Sequence, residues 1–205
     1  MIKAIVFDWG GVLIDYPVSA SISYCADKLN VDEKLFSCEF KKYVNLFQKG
    51  EITEDIIWEN ISKQLKIQKP TTASLCREAF HNVYTPKKEM FQLATNLKKN
   101  GYKIGFLSNT ELPMMKYFKK QQYDAFDVTV FSCVEGIVKP EKRIYEILLE
   151  RLDVEAYETV LIDDIKEYIN AAQDIGMNGI LFENPQQVMR ELGRFGVKIN
   201  KKLKK

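Results

Sequence analysis

Residues 2–12 read IKAIVFDWGGV, and this stretch decides the fold. The apolar, β-branched run at residues 2–7 predicts a buried strand that carries one carboxylate, Asp8, at its carboxyl end. Gly10 and Gly11 follow and predict a tight turn. An aspartate at such a position can be a nucleophile, a metal ligand or an ordinary turn residue, and the rest of the chain must distinguish these roles.

Composition excludes several classes of function. A formal net charge of +2 over 205 residues provides no general attraction to nucleic acid or to an anionic membrane, and no apolar stretch is long enough to span a bilayer. The single histidine, His81, nearly excludes a multi-histidine zinc site and weakens any Ser-His or Cys-His mechanism. The four cysteines are dispersed and no secretory signal pattern is visible, so we expect a cytoplasmic protein.

The carboxyl-terminal part of the chain alternates strand and helix patterns. Strands are predicted at residues 103–107, 128–131, 159–162 and 179–182. Helices are predicted at residues 91–99, from Pro140 to Leu152, and at residues 168–175. This alternation indicates an α/β fold with a Rossmann-like parallel sheet and helices on both faces.

Residues 16–85 interrupt this alternation. They contain no convincing strand but show helical apolar patterns at residues 20–29, 35–47 and 54–65. We therefore predict a core domain of residues 1–15 and 86–205 and an all-helical cap of residues 16–85, inserted after the first strand. Five cap aromatics have helical spacing and are expected to form mainly the cap's own core. They are Tyr24, Phe40, Tyr43, Phe47 and Trp58.

Polar residues follow the predicted strands where a parallel sheet binds its ligands, beyond the carboxyl ends. These residues are Asp8, Ser108, Asn109, Lys139, Asp163 and Asp164. Each of them alone is more often a cap or turn residue than a catalytic one. Their occurrence at corresponding positions of successive units predicts that they gather at one edge of the sheet.

Carboxylates gathered in this way repel one another. At about 4 Å each like-charge pair costs roughly 4 kcal/mol at an effective dielectric constant near 20, so the cluster requires a cation. Hard oxygen ligands suit Mg²⁺. With Lys139, Ser108 and backbone N–H groups, the metal would create a pocket for a dianion such as phosphate. The residues themselves therefore predict a magnesium-dependent site for phosphorylated ligands.

Four sequence motifs resemble those of the haloacid dehalogenase (HAD) superfamily, which consists mostly of phosphatases and phosphotransferases. In order, they are IVFDWGGVLID, IGFLSNT, GIVKP and VLIDD. The resemblance of the core covers roughly residues 1–16 and 86–197, and the helical insertion stands where one large subfamily carries its α-helical cap. The segment GEITEDIIWE is also similar to a segment common in that cap.

The resemblance implies a role for each polar residue. Asp8 would attack phosphorus and form an aspartyl-phosphate. The implied Mg²⁺ ligands are Asp8, the backbone carbonyl of Gly10, Asp163 and Asp164, with Asp164 the best match to the usual ligand and Asp163 binding either directly or through water. The implied phosphate-binding residues are Ser108, Asn109, Lys139 and Gly11. The catalytic set would be Asp8, Lys139 and Ser108, with Lys139 neutralising Asp8 and the transferring group.

Two positions depart from the family pattern. Gly10 replaces the second aspartate that usually acts as general acid and base, a contribution typically worth about 10²–10⁴-fold. A D-x-G-x-V form of the motif occurs in a subgroup resembling sugar-phosphate phosphatases, so Gly10 is compatible with activity. Substitutes for the acid are Asp15, His81, a cap residue or the substrate itself. Tyr168 stands where the family usually has Asp or Asn and is expected to loosen the outer metal shell.

The leading hypothesis is a Mg²⁺-dependent phosphatase of a small phosphorylated metabolite, with sugar phosphates among the candidates. It would act without nucleic-acid or membrane partners, as a monomer or homodimer. A dehalogenase, in which an aspartate attacks carbon and no acid is needed, is an alternative. A regulatory protein that binds phosphate but has lost turnover is another. Release of phosphate or halide, with and without Mg²⁺, distinguishes the three.

Overall fold

The computed structural model describes residues 1–199, so the last six residues of the predicted core domain lie outside the described part. The strands are β1 (Ala4–Phe7), β2 (Ile14–Asp15), β3 (Thr85–Pro86), β4 (Lys103–Ser108), β5 (Val128–Phe131), β6 (Thr159–Asp163) and β7 (Asn178–Leu181). The α-helices are α1 (Val18–Leu29), α2 (Glu33–Lys41), α3 (Val44–Gln48), α4 (Glu54–Leu65), α5 (Leu75–Val83), α6 (Lys88–Lys99), α7 (Leu112–Lys120), α8 (Ser132–Glu135), α9 (Lys142–Leu152), α10 (Lys166–Asp174) and α11 (Pro185–Arg194).

The first apolar run forms the central strand of a five-stranded parallel sheet, in the order β5-β4-β1-β6-β7. All four residues of β1 are buried, as expected for a strand covered on both faces. The register places Phe7 opposite Phe106 of β4 and Ile162 of β6, so these three strands end at the same level. The predicted α/β fold class is confirmed, with the five predicted strands displaced by at most two residues at either end.

Apolar side chains cover both faces of this sheet. One face packs Val6, Leu107 and Leu161 against helix α9 through Ile144 and Leu148. The other face belongs to a larger cluster that continues into the helices between residues 18 and 83. Within residues 1–199, none of the helices has the length and apolarity needed to cross a membrane.

Five helices, α1 to α5, lie between the short strands β2 and β3, which pair antiparallel. The helical pattern predicted over residues 35–47 corresponds to two helices, α2 and α3. Between them, the N–H groups of Lys42 and Tyr43 donate to carbonyls only three residues back, at 3.2 and 3.0 Å, and this tighter turn interrupts the helix. Helix α5 was not predicted, although Ser74 caps it by accepting a hydrogen bond from the Arg77 N–H.

Candidate active site

A buried lysine lies at the centre of the carboxyl edge of the sheet. Lys139 is 2% exposed, and its ammonium donates to Asp8 Oδ1 at 2.7 Å and to Asp163 Oδ2 at 2.5 Å. A third hydrogen bond reaches the Leu107 carbonyl at 3.3 Å. Asp8 follows β1 and Asp163 ends β6, so the parallel register brings the two carboxylates to one ammonium.

Burial and charge act in opposite directions on this group. Burial lowers the pKa of Lys139, but the carboxylates of Asp8 and Asp163 more than offset this effect, and the pKa is raised. Burial also raises the pKa of Asp8, although the Lys139 ammonium opposes the shift. The ammonium is therefore held in its charged form, while burial disfavours the ionised form of Asp8.

Asp164 completes a group of three carboxylates. Asp8, Asp163 and Asp164 each offer one oxygen, and these oxygens lie within 4.8 Å of one another. Both oxygens of Asp163 are already engaged, because Oδ2 accepts from Lys139 and Oδ1 accepts from the Ile165 N–H at 2.9 Å. Burial, together with the charge of Asp163, raises the pKa of Asp164. The oxygen donors and the crowded negative charge fit a hard divalent cation.

The two glycines after Asp8 differ in their surroundings. Gly11 has φ +80°, and a Cβ atom there would lie 2.1 Å from Asp164 Oδ2, so only glycine leaves room for this carboxylate. The Gly11 N–H donates to the Ile14 carbonyl at 2.8 Å, and this bond engages the donor that phosphate binding would need. A Cβ atom on Gly10 would meet nothing within 4 Å. Among residues 1–199, the Gly10 carbonyl accepts no hydrogen bond.

Ser108 and Asn109, at the end of β4, have different surroundings. Ser108 is 3% exposed and lines the same cavity as Asp8 and Lys139. The Asn109 side-chain amide forms two hydrogen bonds with the Lys139 backbone. Asn109 Oδ1 accepts from the Lys139 N–H at 2.7 Å, and Asn109 Nδ2 donates to the Lys139 carbonyl at 2.9 Å. In this structure Asn109 positions the lysine, and its predicted direct contact with phosphate stays a prediction.

Tyr168 contacts the lysine directly, a role that sequence reasoning missed. Its ring centroid lies 4.8 Å from Lys139 Nζ, within the range of a cation–π contact. Its hydroxyl accepts from Asn109 Nδ2 at 3.3 Å. The tyrosine therefore covers the ammonium at the position where the family pattern has a small polar residue.

These groups line a cavity of about 530 Å³, a size typical of small-molecule sites. Aromatic residues Trp9, Tyr16 and Phe80 form part of its wall, and Gln48 and Glu111 add polar groups. These five residues were not predicted as site residues. A sequence signal existed for three of them, because Trp9 lies within the first motif and Tyr16 and Glu111 directly follow the first and second motifs.

The five cap aromatics named from the sequence lie outside the cavity lining. Instead, Phe40 and Trp58 pack with Phe36 at centroid distances of 5.6–6.1 Å. Of the substitute acids, Asp15 lines the cavity but pairs with Lys87. His81 is not among the lining residues.

Comparison with known proteins agrees with this geometry. The sequence profile of the haloacid dehalogenase-like hydrolases matches residues 2–176. The chain belongs to this family. It is therefore a HAD-family hydrolase with an edge cluster of Asp8, Lys139, Asp163 and Asp164.

Similar proteins include several with phosphatase names. Sesquiterpene phosphatase astK of Aspergillus oryzae is 28% identical over 186 residues, covering 87% of this chain and 88% of that protein. Acyl-CoA dehydrogenase family member 10 of Mus musculus is 26% identical over 200 residues, which are 93% of this chain but only 19% of that protein. A HAD family enzyme of Bacteroides thetaiotaomicron, solved with magnesium and inorganic phosphate, superposes with a TM-score of 0.74 at 23% identity. That match covers 89% of this chain and 95% of the solved chain and shows the common fold.

Proposed function

We propose that this hydrolase is a magnesium-dependent phosphatase of a small phosphorylated metabolite, with sugar phosphates among the candidate substrates. The observation that carries the proposal is the buried ammonium of Lys139, bound to Asp8 beside a third carboxylate, Asp164. A cavity of about 530 Å³ opens onto this group and has room for a phosphate and a small organic group.

The metal would be held by Asp8, Asp164 and the Gly10 carbonyl. Asp164 faces the cavity, and the Gly10 carbonyl has no partner among residues 1–199. Asp163, with both oxygens engaged, would act mainly by holding Lys139 and the Ile165 backbone. When bound, Mg²⁺ neutralises charge on the carboxylates and on the phosphoryl oxygens.

In the proposed reaction a carboxylate oxygen of Asp8 bonds to phosphorus while the bond from phosphorus to the leaving oxygen breaks. Lys139 stays protonated and compensates the charge spread over the phosphoryl oxygens, and the Ser108 hydroxyl donates to one of them. Water then cleaves the aspartyl-phosphate, which returns the Asp8 carboxylate and releases inorganic phosphate.

Gly10 determines which leaving groups depart readily. A glycine side chain has no proton to give, so an alkoxide must obtain its proton from water, from the substrate or from another residue. A phenolate, or the carboxylate that leaves an acyl phosphate, needs no such help. We therefore expect aryl phosphates to be hydrolysed faster than simple alkyl phosphates.

Residues 16–85 would act as the cap over this site. Supporting this role, Tyr16, Gln48 and Phe80 reach the cavity from this segment. The phosphatase name of the Aspergillus relative and the bound magnesium and phosphate of the Bacteroides enzyme also support the proposal. The molecule itself would use a small phosphorylated substrate rather than a macromolecular partner.

The test is phosphate release from sugar phosphates, nucleotides and p-nitrophenyl phosphate, with Mg²⁺ and with EDTA, beside the Asp8→Asn variant. We expect metal-dependent hydrolysis by the wild type and at least about a thousandfold loss in Asp8→Asn, because the nucleophile is removed. The folded state of the variant is checked by circular dichroism.

Each contrary outcome has a distinct meaning. Halide release from a 2-haloacid without any phosphate release would assign dehalogenase chemistry. Metal-dependent phosphate binding without hydrolysis would assign a regulatory role. Phosphatase activity that survives in Asp8→Asn would remove Asp8 from the mechanism.

A further inference from the structure

Two polar side chains that line the cavity, Gln48 and Glu111, contact each other. Gln48 ends helix α3 of the helical segment, and Glu111 directly precedes helix α7 of the core. Gln48 Nε2 donates to Glu111 Oε1 at 3.2 Å, and both residues are half-buried. The pair therefore joins the two parts of the molecule at the edge of the cavity.

Apart from its bond to Gln48, the Glu111 side chain has, in the described part of the chain, neither of the usual structural functions of a carboxyl group, which are helix capping and ion pairing. It stands at the N-cap of α7, but its side chain does not cap the helix. Within residues 1–199 it forms no ion pair, whereas Asp8 pairs with Lys139 and Asp15 pairs with Lys87. An ionised carboxyl group that is half-buried without a cation is costly, and either protonation or hydrogen bonds from a ligand can offset this cost.

The surroundings of Glu111 favour its neutral form. Burial raises the pKa of Glu111, and the charge of Glu54 adds to the shift, whereas hydrogen bonds from its own backbone N–H and from Gln48 oppose it. A neutral carboxyl group both donates and accepts hydrogen bonds, whereas a carboxylate only accepts.

The Glu111–Gln48 pair therefore matches hydroxyl groups better than an ammonium group. Gln48 keeps a second N–H donor and a carbonyl acceptor, and each Glu111 oxygen has more than one lone pair to offer. A hydroxyl group donates and accepts, while an ammonium group only donates. Tyr16 and Phe80, whose ring centroids lie 5.1 Å apart, provide an apolar surface in the same cavity for the carbon skeleton.

We propose that Glu111 and Gln48 bind hydroxyl groups of the leaving alcohol, so that the substrates are phosphate monoesters of polyhydroxylated alcohols. This inference rests on the proposed phosphatase function. It assigns selectivity for the alcohol part of the substrate to Glu111 and Gln48, which bind the leaving group. Lys139 and Ser108 bind the phosphoryl group.

The test compares glycerol 3-phosphate with n-propyl phosphate, which share an alkoxide leaving group and differ only in hydroxyl groups. The wild type is expected to prefer glycerol 3-phosphate by at least about tenfold in kcat/KM, because the buried polar pair stays unsatisfied by the propyl group. In Glu111→Met and in Gln48→Met the preference should fall to within about threefold. Glu33→Met, the same change on the exposed surface of α2, should keep the wild-type preference.

Hydrolysis of p-nitrophenyl phosphate serves as the internal control. Both variants should retain it, which shows that they are folded and that the phosphoryl site is intact; if one variant does not fold, the other decides. A wild type without preference, or a preference that both substitutions leave unchanged, overturns the assignment of this pair while the phosphatase proposal stands. No phosphate release by the wild type from any of the three probes overturns both.

Discussion

The charged edge of the sheet and the part of the cavity wall formed by Gln48 and Glu111 are built in different ways. The edge takes Asp8, Ser108 and Asp163 from the ends of adjacent parallel strands, whose register holds them at one level. The wall takes Gln48 from a short helix and Glu111 from a loop, and their contact depends on how two parts of the molecule dock. The residues proposed to act on the phosphoryl group are thus positioned by backbone hydrogen bonds, and those proposed to bind the leaving alcohol are positioned by side-chain packing.

The docking of helix α3 holds the wall in place. Lys49 pairs with Glu141 of the core at 2.9 Å. Gly50, at φ +70°, lies so close to the core that a Cβ atom there would be 2.4 Å from the Cys133 carbonyl. The two residues that follow Gln48 therefore contact the core directly and help to place Gln48 beside Glu111.

The largest effect is expected from a substitution that removes the cation of the charged edge. Lys139→Met leaves Asp8 and Asp163 buried without their cation, and breaking a buried pair in this way typically costs about 3–5 kcal/mol. We expect a loss of this size in the free energy of unfolding, measured by urea denaturation at pH 8, together with loss of phosphatase activity. Lys142→Met, which removes a largely exposed lysine, should remain close to the wild type. Equal stability of Lys139→Met and the wild type would contradict this picture of the edge.

An intermediate effect, on catalytic efficiency, is expected from substitutions of Gly10, which lies beside Asp8 and lines the cavity. Gly10→Asp places a carboxyl group in open space, so it should be accommodated and should supply the missing proton to alkoxide leaving groups. We expect kcat/KM for n-propyl phosphate to rise at least about tenfold relative to p-nitrophenyl phosphate. Gly10→Asn has a similar size but no acidic proton, and it should leave the ratio unchanged. The same change in both variants would show that the effect is not proton donation.

The smallest effect is expected for Glu111 in the cavity wall and concerns the pH dependence of stability. Because the pKa of Glu111 is raised in the folded state, its contribution to stability is lost as pH rises from the unfolded value through the raised folded value. Glu111→Gln cannot ionise, so its thermal midpoint relative to the wild type should increase between pH 4 and pH 8. Glu33→Gln, on the exposed surface, should show no such increase. A midpoint difference that is independent of pH would mean that the folded structure does not disfavour the charge of Glu111.

The sequence predicted the parallel sheet and the convergence of Asp8, Lys139 and the acids at 163–164. Strand periodicity and chain order determine which residues lie at the carboxyl edge, so both features could be inferred from the sequence. The sequence did not predict that α2 and α3 are separate helices. Their apolar pattern is continuous, and the turn between them depends on hydrogen bonds to carbonyls three residues back. The cavity wall was also missed, because nothing local in the sequence relates residue 48 to residue 111.

By itself, the order of residues determined that acids and a lysine converge at one edge, since parallel strands must bring their carboxyl ends together. Only the tertiary structure decided how each group is used. In the folded protein, Asn109 is hydrogen-bonded to the Lys139 backbone, the Tyr168 ring contacts the ammonium, and Gln48 is hydrogen-bonded to Glu111. These contacts join residues 29 to 63 positions apart, so they follow from packing in three dimensions rather than from any local pattern.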